Sequence, residues 1–380
     1  MDVMSTGHLE LGQSVPLETN LAIPGVKNAL DIWNGLLSEA RESIDIEAFY
    51  IKTKRGTGFD DFLLHILDRA LEGIRVRILV DKAFFERDKR DSDDDHKGMI
   101  FKLQNARNVQ IKLKAGIFGG QGKLHSKILI NDGQHSWIGS QNYDWRSLDH
   151  IQELGVACYG SELSKCLQSI FELDWDGEIK GTIRASDHTS QQCIYEGHKH
   201  DAAVTASPPA WRPECTLSDL EEIIRYIREG QRIIRIQVSK YRNTMRGSAG
   251  HNWPILENEL LAAASRGVAI KLIVDRRTLQ DSVQTESLRQ LAKQDCIDVR
   301  VATVPIHSSG QIAFARMVHS KLVVIDDQFS WIGTSNLAPD DFLFSRNIGL
   351  VVLGRRFAAA SQRCFDHVWL NDFTEDIFTL

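Results

Sequence analysis

His125-Ser126-Lys127-Ile128-Leu129-Ile130-Asn131-Asp132, followed by Gly139-Ser140-Gln141-Asn142, returns 194 positions later as His319-Ser320-Lys321-Leu322-Val323-Val324-Ile325-Asp326 and Gly333-Thr334-Ser335-Asn336. His, Lys, Asp, Gly and Asn recur in one phase, which marks an internal duplication. Successive side chains of a strand point to opposite faces, so His-x-Lys sets an imidazole and an ammonium on the same face. Asp132 and Asp326 follow each Lys by an odd separation, off that face. They are read as turn-fixing residues rather than bases. Gly139 and Gly333 are read as structural.

The duplication reaches upstream. Glu72-Gly73-Ile74-Arg75-Val76-Arg77-Ile78-Leu79-Val80-Asp81 matches Arg266-Gly267-Val268-Ala269-Ile270-Lys271-Leu272-Ile273-Val274-Asp275 at the same offset. Each stretch reads as a helix end, a glycine cap and a strand. Ser43–Phe49 resembles Ile233–Ser239 at an offset of 190. Asp132-Gly133 and Asp326-Asp327 mark turns, and Trp137-Ile138 and Trp331-Ile332 begin returning strands. Each half therefore predicts helix, strand, helix, strand and a loop into the His-bearing hairpin. The fold class is α/β: two sandwich lobes related by a pseudo-twofold axis, with both motifs at the interface. Residues 1–180 form the first lobe, 181–213 a connector of lid or linker type, and 214–380 the second lobe. Glu86–Lys97 is a charge run expected as a solvated loop or frayed helix end. Phe118-Gly119-Gly120-Gln121-Gly122 is expected as a flexible loop bordering the site; no Gly-Lys-Ser/Thr follows to make it a phosphate loop.

A chain of 380 residues, 25% charged and 42% hydrophobic, has a globular composition. Its net charge of −6 argues against indiscriminate, whole-surface binding to nucleic acid, though a local basic cleft remains compatible. No apolar run is long enough to be a transmembrane segment, and the first twenty residues lack an apolar signal core, which favours a cytoplasmic location. Six cysteines form no CxxC pair or metal-type cluster. Cys158, Cys166 and Cys364 are expected as reduced core residues. Cys193 and Cys215 lie in the polar connector and can pair in an oxidising compartment. His188, His198 and His200 are expected in a solvated loop, and His65, His135, His150, His251, His307 and His367 have no matched partner.

Two imidazoles, two ammoniums and two amides suit attack on a phosphodiester. The anion repels nucleophiles, so the reaction needs a nucleophile, an acid for the leaving oxygen and positive charge around the phosphoryl group. One histidine can attack phosphorus while the other protonates the departing alcohol and then activates water. Lys127 and Lys321 can cradle the phosphoryl oxygens, with Asn142 and Asn336 as neutral donors. Ser140, Thr334, Trp145 and Asn347 are read as substrate-binding, with Trp145-Arg146 open as a base-stacking or rim-shaping pair or as core packing plus a surface charge. No cofactor or metal is called for.

The paired motif resembles the phospholipase D superfamily, whose signature is HxKxxxxD followed by GSxN. The resemblance covers nearly the whole chain. It implies the two-lobed fold, a phosphohistidine intermediate and no metal. Gly139–Leu148 with Glu153-Leu154-Gly155-Val156, together with Gln13–Pro16 and Trp33–Leu37, is similar to the subgroup of lysosomal 5′ exonucleases and poxvirus envelope and nicking proteins. That subgroup implies single-stranded nucleic acid or phospholipid as substrate, with peripheral membrane contact as a further expectation. Glu153 falls where many members carry a carboxylate that orients a histidine, and its counterpart here is Asn347. Asn can hold a ring but cannot stabilise an imidazolium by charge. The family pattern favours His125 as nucleophile and His319 as acid. Three functions follow as expectations: a nuclease on single strands, a phospholipase D or phosphatidyltransferase, and a non-catalytic membrane-associated scaffold. Intact His and Lys in both copies count against the last.

Overall fold

Local sequence builds the two halves by the same rules. Asn28 caps the helix Ala29–Glu39 by accepting from Leu30 N–H, and Ser218 caps the matching helix Asp219–Glu229 by accepting from Glu221 N–H. Each side-chain oxygen satisfies one donor that the first helical turn leaves unpaired. The computed structural model describes residues 6–91, 94–117, 121–177, 190–245 and 252–380.

In the first half the strands run in the order Gly7–Ser14, Ile151–Tyr159, His135–Gly139, Ile128–Asn131, Ser43–Ala48, Arg75–Asp81 and Val109–Lys114. In the second they run His198–Ser207, Asn347–Leu353, Phe329–Gly333, Leu322–Ile325, Ile233–Gln237, Ala269–Asp275 and Ile297–Ala302. The last three strands of each series are parallel and the others antiparallel. Thr374–Asp376 adds an edge strand to the second half.

The connector differs from expectation. Gln191–Tyr195 and His198–Ser207 form a hairpin, and Gln191–Tyr195 also pairs in parallel with Gly7–Ser14. It thereby sews the two half-sheets into one. The reading of 181–213 as a lid or linker is corrected for residues 191–207. Glu196 and Gly197 both take positive φ (47° and 77°), the geometry of a two-residue hairpin turn. The polar start of the second strand hid this pattern. His200, expected in solvent, is buried. His188 and His251 lie outside the described residues, as do Phe118, Gly119 and Gly120.

The charge run is also more ordered than expected, with helices Lys82–Asp91 and Asp94–Asn105; residues 92–93 are outside the described set. The second helix buries His96, Met99, Ile100 and Leu103, a helical spacing that begins inside the run. Cys166 is bonded to Cys215 and not reduced, while Cys193 is a buried free thiol. Cys215 meets the helix Glu162–Asp176 at a Cα separation of 5.9 Å, within disulfide range. No helix among the described residues is long and apolar enough to cross a membrane.

Leu167, Ile170 and Phe171 from Glu162–Asp176 and Phe357, Phe365 and Val368 from Arg355–Trp369 share one core with strand residues of both halves, including Ile128, Leu154, Leu322 and Ile348. Each half adds its own outer core, around Trp33 and Phe62 or around Ile223 and Leu260. Asp132 accepts the backbone N–H groups of Arg41, Glu42 and Ser43 at 2.7–2.8 Å. Asp326 accepts those of Gln231, Arg232 and Ile233. Each carboxylate thus ties the motif's turn to the start of the neighbouring strand.

The motif glycines make room for tryptophan. A Cβ at Gly333 would lie 2.5 Å from Trp331 Cζ2 and 2.8 Å from Ile348 O, and one at Gly139 would meet Gln141 Oε1 first and then Trp137 Nε1 at 2.7 Å. Gly139→Ala and Gly333→Ala are each expected to destabilise by about 1–3 kcal/mol through overpacking. Denaturant unfolding measures this; wild-type stability in both variants would contradict the close-approach argument.

Candidate active site

The two halves meet through backbone pairing at the histidines. His125 N–H donates to Arg346 O at 2.9 Å, and His319 N–H donates to Gln152 O at 2.8 Å. Immediately before them, Leu124 bridges Arg346, and Met317-Val318 pairs with Ile151-Gln152. Asp81 Oδ2 accepts Leu124 N–H at 3.1 Å, and Asp275 Oδ2 accepts Val318 N–H at 3.0 Å. Each histidine is therefore hung on a strand of the opposite half, with its entry fixed by a carboxylate of its own half. Asp81 and Asp275 were legible as a matched pair in the upstream repeat but carry no chemical signature that singles them out.

Both rings are then oriented across the seam. His319 Nδ1 lies 2.7 Å from Glu153 Oε1, and His125 Nδ1 lies 2.8 Å from Asn347 Oδ1. Asn347 is fully buried, with Thr334 Oγ1 donating to its Oδ1 (2.8 Å) and its Nδ2 donating to Asp341 O (2.9 Å). Those contacts fix the amide with its oxygen toward His125, which puts the ring proton on Nδ1 and frees Nε2. Ser140 and Thr334 are also fully buried. Ser140 Oγ lies 3.2 Å from both Leu154 O and Leu154 N, and Thr334 Oγ1 accepts Ile348 N–H. The substrate-binding reading of Ser140, Thr334 and Asn347 is corrected on these contacts: they hold backbone and ring in place.

Lys127 and Lys321 are fully buried, and each Nζ donates to the carbonyl of its own motif histidine. Phe49 stands edge-on to His125 at 4.9 Å between centroids. Its counterpart Ser239 instead donates to Asn336 Oδ1 (2.7 Å) and accepts from Lys321 Nζ (3.4 Å). Asn142 N–H donates to Ser147 Oγ (2.8 Å) and Ser147 Oγ to Glu153 Oε2 (2.9 Å). Trp145 is partly buried, with Lys54 Nζ 4.6 Å above its ring. Phe49, Ser239 and Ser147 escaped sequence reading because the two halves differ there.

Burial dominates the electrostatics. It pushes His125 well below the ordinary imidazole range, helped by Lys127 and opposed by the bond to Asn347. Burial, then Lys321 and Lys127, depress His319 as well. Burial, then Lys321, depresses Lys127, and burial brings Lys321 down to about 7 against the pull of Glu153 and Asp341. Burial raises Glu153, with Lys321 and Ser147 opposing. Glu153 Oε1 and His319 Nδ1 lie 2.7 Å apart, a separation at which a carboxylate favours a proton on the ring. An arriving phosphate anion favours the protonated forms of all the cations it meets.

Two half-sheets closing on a pair of His-x-Lys strands are the arrangement of a phosphodiesterase of the hydrolase class. Residues 35–175 and 223–369 match the family described as cardiolipin synthase, PLD-like domain. The chain belongs to that phospholipase D superfamily. The human 5'-3' exonuclease PLD4 is 30% identical over 378 residues, covering 90% of this chain and 72% of that one. Phospholipase D Z of Dictyostelium discoideum is 25% identical over 398 residues, covering 98% and 92%. The virion nicking-joining enzyme of vaccinia virus (strain Western Reserve) is 28% identical over 335 residues, covering 81% and 74%. The crystal structure of a phosphatidylserine synthase from Haemophilus influenzae Rd KW20 shares the fold, with a TM-score of 0.67 at 14% identity over 92% of this chain and 86% of that one.

Glu153→Gln removes a charge that favours the His319 imidazolium, so the limb of the pH–rate profile governed by His319 should move to lower pH by about one pH unit or more. Asn347→Asp adds a charge beside His125, and the limb governed by His125 should move to higher pH. Profiles that stay in place in both variants would assign the two positions to packing alone.

Proposed function

We propose that the chain hydrolyses single-stranded nucleic acid through a phosphohistidine formed on His125, with His319 as acid and then base. The observation that carries the mechanism is the unequal pair of ring partners, neutral Asn347 against carboxylate Glu153. A ring held by an amide beside Phe49 stays neutral and can attack through Nε2. A ring held by a carboxylate retains the proton that the leaving oxygen needs.

His125 Nε2 attacks phosphorus, and the P–O bond to the leaving group breaks as His319 gives that oxygen its proton. Lys127 and Lys321 carry the charge on the non-bridging oxygens. His319, now neutral, takes a proton from water as the water oxygen attacks phosphorus. The P–N bond breaks, releasing a phosphomonoester and returning His125 to its starting form.

The rim beside the seam supports a nucleic-acid substrate. From Lys114 to His125 the chain uses residues 115–124, but from Ala302 to His319 it uses the longer stretch 303–318. That longer loop crosses to the first half. Arg316 Nη1 donates to Leu17 O (2.7 Å), Arg316 N–H to His150 O (2.8 Å), and Arg146 Nη1 to Ala313 O (3.0 Å). Phe314 is 75% exposed with the Arg146 guanidinium 5.8 Å from its ring. Lys54 on Trp145 repeats the pairing of cation and aromatic face. Aromatic faces beside cations stack bases and follow a phosphate backbone without reading sequence. Attack from the 5′ end rests on the likeness to human 5'-3' exonuclease PLD4.

A phospholipid substrate is the second reading. Ile306 (71%), on the same loop as Phe314, and Leu17 (52%), on the first-half loop that Arg316 meets, are exposed, as an interfacial contact requires. The two readings separate in one assay, with end-labelled single-stranded DNA and phosphatidylglycerol vesicles side by side in EDTA. Cleavage of the DNA, unaffected by the chelator, is the expected result, because Lys127 and Lys321 provide the charge a metal would otherwise supply. Headgroup release with intact DNA would favour the lipid reading, and activity that needs a divalent ion would contradict the mechanism. His125→Ala and His319→Ala should each lower turnover by roughly two orders of magnitude or more. Near-full activity in either would rule out the shared site.

A further inference from the structure

The two halves keep their carboxylates in different places. Asn142 N–H reaches Glu153 through Ser147 Oγ, in steps of 2.8 and 2.9 Å. At the 194-residue offset, Ser147 and Glu153 are answered by Asp341 and Asn347. There Asn336 N–H donates directly to Asp341 Oδ2 at 3.0 Å, and the neutral amide of Asn347 faces the histidine. Each half retains one acid and one uncharged partner, but in exchanged order. The first half sets its charge on a histidine. The second sets it under the Gly-Thr-Ser-Asn turn, on the Asn336 N–H.

The exchange answers two demands that conflict. Lys127 and Lys321 are both fully buried in one seam, where each ammonium disfavours the other. Glu153 is already engaged with His319, so a second negative charge is needed to keep both lysines protonated. A carboxylate at 347 would supply it but would also charge the partner of His125 and raise that ring's proton affinity. A carboxylate at 341 opposes the loss of the lysine protons and leaves Asn347 neutral. The groups that face the lysines fit this division. Glu153, Asp341 and Asp275 favour the charged form of Lys321 and Lys240 opposes it, while Glu153 and Asp341 favour that of Lys127 and Lys321 and Lys123 oppose it. Burial raises the Asp341 carboxyl, and the bond from Asn336 N–H with the charges of Lys321 and Lys123 opposes that rise and favours its ionised form.

We propose that Asp341 is a positioning residue of the active site, holding the Asn336 turn and supplying the counter-charge to the Lys127–Lys321 pair without charging the partner of the attacking histidine. This rests on the assignment of His125 as nucleophile but not on the identity of the substrate.

The test uses three variants of the full chain. Asp341→Asn removes the charge at constant shape, Asp341→Ser installs the first half's residue, and Asp341→Ser with Asn347→Glu installs its complete pair. Lysine side-chain amines are titrated by nitrogen-15 NMR, with Lys321→Ala and Lys127→Ala for assignment. The His125 ring protons are followed in the same samples. In both single variants the lysine titrations should move to lower pH by about one pH unit. In the double variant they should return toward wild type while the His125 titration moves to higher pH. Circular dichroism establishes which variants fold, and Asp341→Asn alone decides the charge question if Asp341→Ser does not. Unmoved lysine titrations in a folded Asp341→Asn protein would overturn the proposal. So would a double variant in which the lysines stay shifted. Lysine titrations restored in the double variant with an unmoved His125 would overturn the claim that a carboxylate at 347 charges the partner of that ring, and would leave the nucleophile to be decided by trapping the phosphohistidine.

Discussion

Two backbone hydrogen bonds across the seam, His125 N–H to Arg346 O and His319 N–H to Gln152 O, determine almost everything else about the site. They place each His-x-Lys strand against the opposite half, so that each ring finds its partner at the next residue, Asn347 or Glu153. Neither half holds a complete site. What fixes those carbonyls differs between the two sides. Arg346 is fully buried and paired with Asp174 through two bonds, while also donating to Ser207 O. Gln152 accepts from Gln237 Nε2 (2.7 Å) and Ser320 Oγ (2.8 Å), a network with no charge in it. Glu47 lies beneath His125, accepting from Ser126 Oγ, and burial followed by Asp174 pushes its carboxyl up to about 8. The Arg346–Asp174 ion pair is fully buried, and its desolvation is a local cost that the shared core must offset.

The near-symmetry explains how the site assembles, and its breaks explain how it works. A perfect duplicate would give two rings of equal proton affinity, and a displacement at phosphorus needs one ring neutral and one protonated. The breaks at positions 49 and 239, 147 and 341, and 153 and 347 lie within the shell that touches the histidines, lysines and asparagines, while the longer loop 303–318 breaks the symmetry at the rim. Elsewhere the duplicated features are conservative: an Asp closing each hairpin turn, a Trp over each motif glycine, an Asp holding each strand that enters the site.

The sequence already contained the architecture and the pairing of the two His-x-Lys motifs, because both rest on periodic or repeated signals. Period-two strands, glycine-capped helices and a motif recurring at one offset carry their meaning locally. The readings that changed concerned groups whose partners lie far along the chain. Ser140 and Thr334 looked like donors for a substrate, yet their hydroxyls lie against the backbone of the adjacent strand. Cys215 sat close to Cys193 in sequence, but the strand Gln191–Tyr195 carries Cys193 into the shared core and the helix Glu162–Asp176 brings Cys166 to Cys215. The hairpin 191–207 was masked by polar residues on a strand whose other side chains are buried. Phe49 and Ser239 occupy equivalent positions with unlike chemistry, which a search for matched residues passes over.

The central claim is that the ring held by a neutral amide is the one that attacks. Trapping the covalent intermediate tests it directly. A substrate carrying a phosphorus-32 label at the scissile phosphate is mixed with the protein and quenched within one turnover, and the labelled peptide is mapped under alkaline conditions in which phosphohistidine survives. The account predicts an acid-labile label on His125. A label on His319, or turnover with no labelled enzyme at any quench time, would contradict it.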